Sequence, residues 1–177
     1  MNEVGEKSQS VDYNETIKAL AEVAYRAYMC ERERQDILEK KSVNLLGFSG
    51  IMITIAVSIG AFLFGRDILR PEYVALTKVL FVSSILLISS STIFALMVIT
   101  LKKYEVMDLD TIITEENKKL SAWNTYDNMA RLYKNMASED RKVNDDKAKN
   151  LKASQALLIA GLAVLFLEAL AISLGTL

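Results

Sequence analysis

The sequence predicts an all-α integral membrane protein: three transmembrane helices joined to a cytoplasmic helical bundle, assembled as a homo-oligomer. Three observations predict it. Apolar residues make up 51% of the 177-residue chain, and the mean hydropathy is +0.21. Charged residues still make up 24%, so the two classes must be segregated. They are: three long stretches hold almost no charge, and nearly all Lys, Arg, Asp and Glu lie outside them. Each stretch is close to the ~20 apolar residues that cross ~30 Å of hydrocarbon as a helix.

Residues 1–10 are polar and are expected to be disordered; no amino-terminal signal peptide is expected, because the first ~40 residues are polar and mixed in charge. Residues 11–43 read as one cytoplasmic helix, with Ile17, Leu20, Ala24 and Tyr28 recurring at three- and four-residue steps. No Gly or Pro separates this helix from the first span, 44–64. The two are therefore expected to be continuous, with Asp36, Glu39, Lys40 and Lys41 just below the bilayer surface.

A hairpin, 65–78, holds the only proline, Pro71, where a missing backbone donor costs little. The second span is 79–101. The region 102–155 then carries two helix-start signals, Thr114-Glu115-Glu116 and Ser138-Glu139-Asp140, each a capping hydroxyl followed by carboxylates. Between them Leu120, Trp123, Ala130, Tyr133 and Ala137 form an apolar face. The second helix is expected to run through Lys152 into the third span, 156–174, followed by a short tail, 175–177. The apolar stripes of the cytoplasmic helices suit a bundle or coiled-coil contact.

Lys and Arg near the span ends set the orientation. Arg32, Arg34, Lys40, Lys41, Lys102, Lys103, Lys142, Lys147, Lys149 and Lys152 flank one side, against Arg66, Arg70 and Lys78 on the other. The expected topology places the amino terminus in the cytoplasm, with the hairpin and the carboxyl terminus outside the cell (inner) membrane.

Several chemistries have little to work with. The chain has no histidine, which removes the commonest general base and metal ligand. One cysteine, Cys30, forms no intrachain disulfide and reads as a small apolar residue. No phosphate-binding glycine loop, nucleophile motif or metal-ligand spacing is present. No enzyme activity, cofactor or metal is expected, and a net charge of −1 argues against stable duplex DNA binding.

Glu168 is the most informative residue. It lies about three positions, roughly 4.5 Å, beyond the centre of the third span, and no other span supplies a charge to pair with it. An ionisable group there costs a few kcal/mol unless it meets water, a partner or the protein interior. Ser154, Gly161, Glu168 and Gly175 recur every seven residues, bordered by Leu158, Leu165 and Ile172. These make Glu168, Gly161, Leu165, Ser154 and Ile172 candidate pore-lining residues. The competing reading is a neutral Glu168 that bonds to a neighbouring helix or reaches the outer headgroups.

The small residues Gly47, Thr54, Ser58, Ala61 and Gly65 share one face of the first span, and the second carries six Ser and Thr between Ser83 and Thr92. Close helix packing explains these faces, as does a hydroxyl-lined permeation path. Lys118, Lys119, Arg131, Lys134, Arg141 and Lys142 are candidates for a nucleotide- or oligonucleotide-binding surface. The interleaved acids Glu115, Glu116, Asp127, Glu139 and Asp140 favour a solvated face instead.

The layout resembles the SLATT-type membrane effectors of prokaryotic conflict systems and the related Pycsar membrane effectors. An amphipathic helix feeds the first span through Asp36-Ile-Leu-Glu-Lys-Lys41 into Leu45-Leu-Gly-Phe-Ser-Gly50. A short hairpin follows, and a helical insert returns through Asn144-Asp-Asp-Lys147 and Lys149-Asn-Leu-Lys152. The third span departs from the two-helix membrane unit of such effectors. The resemblance implies an oligomeric pore of anti-phage defence, held shut in healthy cells and controlled by a nucleotide-type signal from a nucleotidyltransferase partner; a tetramer is expected. Asp36, Lys40 and Lys41 would then form a gating junction. The alternative is a non-conducting membrane scaffold whose cytoplasmic bundle recruits a partner.

Overall fold

Heptad spacing organises every described element of the computed structural model, which describes residues 3–64, 71–100 and 122–176. The described residues are helical throughout: α1 Glu3–Phe64, α2 Pro71–Thr100 and α3 Ala122–Thr176. Each contains a stretch long and apolar enough to cross a membrane, with mean hydropathies of 2.1, 2.2 and 2.5 over 18-residue windows.

α1 starts at Glu3, so residues 3–10 are helical where disorder was expected. It then runs through the first apolar stretch without a break, as the absence of a helix breaker there requires. α2 starts at Pro71, earlier than the expected span, because a proline at the first helical position loses no intrahelical bond. Glu72 in its first turn complements the helix dipole. α3 passes straight through Ser138-Glu139-Asp140, so the second expected helix start is corrected. Asp140 is buried as part of a continuous packing seam, and that packing overrides the local start signal. The Thr114 start signal lies outside the described residues.

The chain divides into two compact units. Unit 1 comprises Met1–Asp36 and Lys102–Asp145; unit 2 comprises Ile37–Leu101 and Asp146–Leu177.

Within unit 1, α1 contributes Ile17, Ala21, Ala24, Tyr28, Glu31 and Gln35, and α3 contributes Tyr126, Ala130, Tyr133, Ala137, Asp140 and Asn144. All are buried or half-buried, and each set alternates steps of four and three. This 3.5-residue period is that of a left-handed coiled coil. Tyr133 packs edge-on to Tyr25 (5.3 Å between centroids) and tilted against Tyr28 (5.9 Å). Leu20, expected on this face, is instead exposed, and Ala21 takes the seam position.

Within unit 2 the same spacing gives Leu38, Ser42, Leu45, Ser49, Met52 and Ala56 on α1, and Lys147, Leu151, Ser154, Leu158, Gly161, Leu165, Glu168 and Ile172 on α3. α2 supplies Thr77, Phe81, Ser84, Ile88, Ser91, Ala95 and Val98. Again every one is buried or half-buried. Leu38, Val98 and Leu151 form an apolar layer with Leu45 and Ala148 packed on it.

Only 17–22% of each apolar window is buried inside the chain. Ile51, Phe62, Val79, Leu86, Ile159 and Phe166 are all more than half exposed. Leaving six such side chains in water forgoes ~10 kcal/mol, comparable to the whole stability of an ordinary domain. The outer surface of unit 2 therefore suits an apolar medium rather than water.

Candidate functional site

The sequence-predicted Glu168 stripe lies in the seam of unit 2. Ser154 and Ser91 clamp α3 to α2 reciprocally: Ser91 Oγ donates to the Ser154 carbonyl at 2.7 Å, and Ser154 Oγ donates to the Ser91 carbonyl at 2.9 Å. Such a clamp needs both hydroxyls and close backbones, which two serines provide. Two helical turns further on, Gly161 packs against α2. A Cβ there would lie 2.7 Å from Ile88 Cγ1 and 3.4 Å from the Ile88 backbone nitrogen. Ser42 ties α1 to α2 by donating to the Ala95 carbonyl at 2.6 Å.

Glu168 is 3% exposed, and neither carboxyl oxygen has a hydrogen-bond partner among the described residues. Ser49 Oγ and Thr77 Oγ1 are buried in the same condition. Leu165 and Ile172 are half-buried beside the stripe. The seven-residue spacing thus marks one buried face, turned toward the chain's own helices.

The small-residue face of α1 behaves differently. Gly47, Thr54, Ser58 and Ala61 are exposed within the single chain, and the side chains of Thr54 and Ser58 bond to carbonyls of their own helix. The buried positions are Ser42, Ser49 and Ala56 instead. Gly65 lies outside the described residues.

At the start of the unit 2 seam, Lys147 is 1% exposed and its Nζ donates to Glu39 Oε1 at 2.6 Å. Asp36, Lys40 and Lys41, the expected junction residues, are exposed. Lys147 and Glu39 are the residues that sequence reasoning left out of the candidate sites. The signal was present: Lys147 sits on the same seven-residue repeat as Ser154, Gly161 and Glu168.

Unit 1 holds the second candidate. A groove of about 660 Å³ lies between α1 and α3, with Leu20, Val23, Ala24 and Ala27 on one wall and Ala130 and Ala137 on the other. Arg131, Lys134 and Arg141 also line it, bringing together three of the six predicted cationic residues. Arg131 Nε donates to Asp127 at 2.9 Å, and Arg141 Nε lies 3.6 Å from Glu31 Oε1. Lys142 is exposed and away from the groove lining, and Lys118 and Lys119 lie outside the described residues. Cys30 is a free, exposed thiol in the groove wall.

Beside the groove a polar cluster joins α1 to α3. Asn144 Nδ2 donates to the Glu31 carbonyl at 2.7 Å and to Glu31 Oε2 at 3.0 Å. Arg34 donates to Asp145 at 2.8 Å, and this bond is the main reason that its guanidinium is held above its ordinary pKa. Burial pushes the Asp140 carboxyl above the usual carboxylate range; Arg32 opposes the shift, and Glu31 and Glu139 add to it. The Arg32–Asp140 contact, 3.5 Å from Nε to Oδ2, lacks hydrogen-bond geometry, and Arg32 Nε donates to the Tyr28 hydroxyl at 3.0 Å.

Among the described residues no group of three or more Cys, Asp and Glu side chains is placed to hold a metal ion. No protein family, curated protein or solved structure matches the chain.

Proposed function

We propose that the chain is a membrane-embedded, homo-oligomeric ion-conducting effector, with Glu168 on the permeation path and unit 1 as its regulatory input. The observation that carries this reading is the burial of Glu168 in the apolar part of unit 2 without a hydrogen-bond partner among the described residues. Ionisable residues inside apolar spans are costly and mark ion or proton pathways. The groove of unit 1 supports the second half of the proposal. Its apolar floor and the Arg131, Lys134 and Arg141 side chains suit an anion with an apolar portion, such as a nucleotide or oligonucleotide. The resemblance adds the context of anti-phage defence at the inner membrane and a nucleotidyltransferase as the source of the signal.

Purified full-length chain in liposomes tests the proposal. Ion leak is expected from the parent, with altered conductance for Glu168→Gln at unchanged insertion and assembly. Parent-like single-channel records for the variant would remove Glu168 from the path. The second reading, a non-conducting scaffold, is favoured by the Ser42 and Ser91–Ser154 bonds, which use their hydroxyls for packing. It predicts an assembled, inserted protein with no leak.

A further inference from the structure

Register places Glu168 among small and apolar side chains of the unit 2 seam. Leu38 and Leu151 share one layer of unit 2. Glu168 is as many residues beyond Leu151 as Ile55 is beyond Leu38, so it stands level with the buried Ala56. On the antiparallel α2, Gly161 meets Ile88, and seven residues further Glu168 comes level with Phe81 and Ser84. Ala56 and Ser84 are the small buried residues at this level. Ser84 Oγ donates to the Phe81 carbonyl at 2.8 Å, which leaves its lone pairs available to accept. Thr77, with its hydroxyl buried and unbonded among the described residues, lies two turns beyond Ser84 toward the end of unit 2 where α1 finishes and α2 begins.

Toward Lys147 the seam is closed. The reciprocal Ser91–Ser154 bonds and the Leu38–Val98–Leu151 layer fill the seam there. Among the described residues of unit 2, the buried side-chain oxygens without partners (Ser49, Thr77 and Glu168) lie on one side of this closure, and hydroxyls bonded between helices lie at it.

We infer that Glu168 is a proton-exchange site, loaded from the Pro71 end of unit 2 and shut off from the Lys147 end by the serine clamp. A proton from water enters along Thr77 and forms an O–H bond to a Glu168 carboxylate oxygen; release reverses that step. Among the described residues, α1 from Ser42 to Phe64 and α2 from Val79 to Thr100 carry no Asp, Glu, Lys or Arg. On α3, Glu168 is the only such residue after Lys152. Lys78, the nearest cation on α2, is exposed, with its Nζ 5.9 Å from the Phe64 ring centroid. This inference rests on the conduction reading for its purpose and deepens it by naming the proton as the transported ion.

Apolar carbodiimides add to protonated carboxyl groups in apolar surroundings, so they read this site without any flux. The full chain in oriented vesicles, treated with dicyclohexylcarbodiimide over a pH series set separately on each side, is to be digested and analysed by mass spectrometry. The expected result is one label on Glu168, absent in Glu168→Gln, that falls about ten-fold or more as the pH on the Pro71 side rises through the titration. Response to the other side alone, labelling that ignores pH, or no label at any pH would each overturn the inference. Labelling as expected in vesicles that pass no ions would leave the exchange site standing and remove the conduction reading.

Discussion

Lys147 is the residue whose environment departs most from its type. Its side chain is 1% exposed, and its Nζ lies 2.6 Å from Glu39 Oε1. Removing one member of a buried pair costs ~3–5 kcal/mol; because Glu39 is about a third exposed, we expect about 1–3 kcal/mol for Glu39→Ala. Lys147→Met keeps the seam filled and removes the need for a partner, so it should cost less than ~1 kcal/mol. Thermal melting in detergent separates the two, and equal losses would show that the lysine stem rather than the ion pair holds the helices. Asp140 makes a pH-dependent case. Its folded-state pKa is raised, chiefly by burial, so its contribution is fully present below the unfolded carboxylate range and is lost as pH rises through the raised value. Asp140→Asn should therefore raise the melting temperature at neutral pH, with the gain vanishing in acid. A pH-independent gain would assign the effect to something other than this titration.

At the scale of the element, the 3.5-residue seam decides what can be substituted. Gly161 is where α3 comes closest to α2, and a methyl group there would press on Ile88 at 2.7 Å. We expect Gly161→Ala to cost ~1–3 kcal/mol, and an Ile88→Ala background, which lacks the crowded Cγ1, to recover part of that cost. No recovery in the double variant would place the strain on the backbone instead. The element boundaries teach how far sequence reasoning reaches. The repeat through Ser154, Gly161 and Glu168 was legible, because heptad spacing identifies a buried face whatever its polarity. What buries that face was not legible, since spacing says nothing about whether the neighbour is the same chain or another copy. The first span shows the same ambiguity: Gly47–Thr54–Ser58–Ala61 and Ser42–Ser49–Ala56 are both stripes of small residues, and only tertiary contacts distinguish the buried one. The start signal at Ser138 misled because a capping hydroxyl matters only where the backbone leaves the helix, and the seam through Ala137, Asp140 and Asn144 keeps it helical. The cationic groove in unit 1 needed α1 and α3 side by side, which no local pattern in α3 reveals.

For the whole molecule, the face of α1 left uncovered is the place to test assembly. Gly47 and Gly50 have nothing within 4 Å of where a Cβ would stand, and Thr54, Ser58 and Ala61 continue the same exposed side. Small residues let helices in an apolar medium approach until backbones touch, and the proposed homo-oligomer would seat another copy on this face. We expect the full chain in mild detergent to show the mass of four copies by native mass spectrometry. Gly50→Leu should reduce it to smaller species. Within one chain the added side chain meets open space, so helix content and the melting of the dissociated protein should match the parent. Because the substitution spares the fold, its result bears on assembly alone. An unchanged oligomer would move the contact between copies to another face, and unfolding would mean that Gly50 is crowded where the chain leaves it clear.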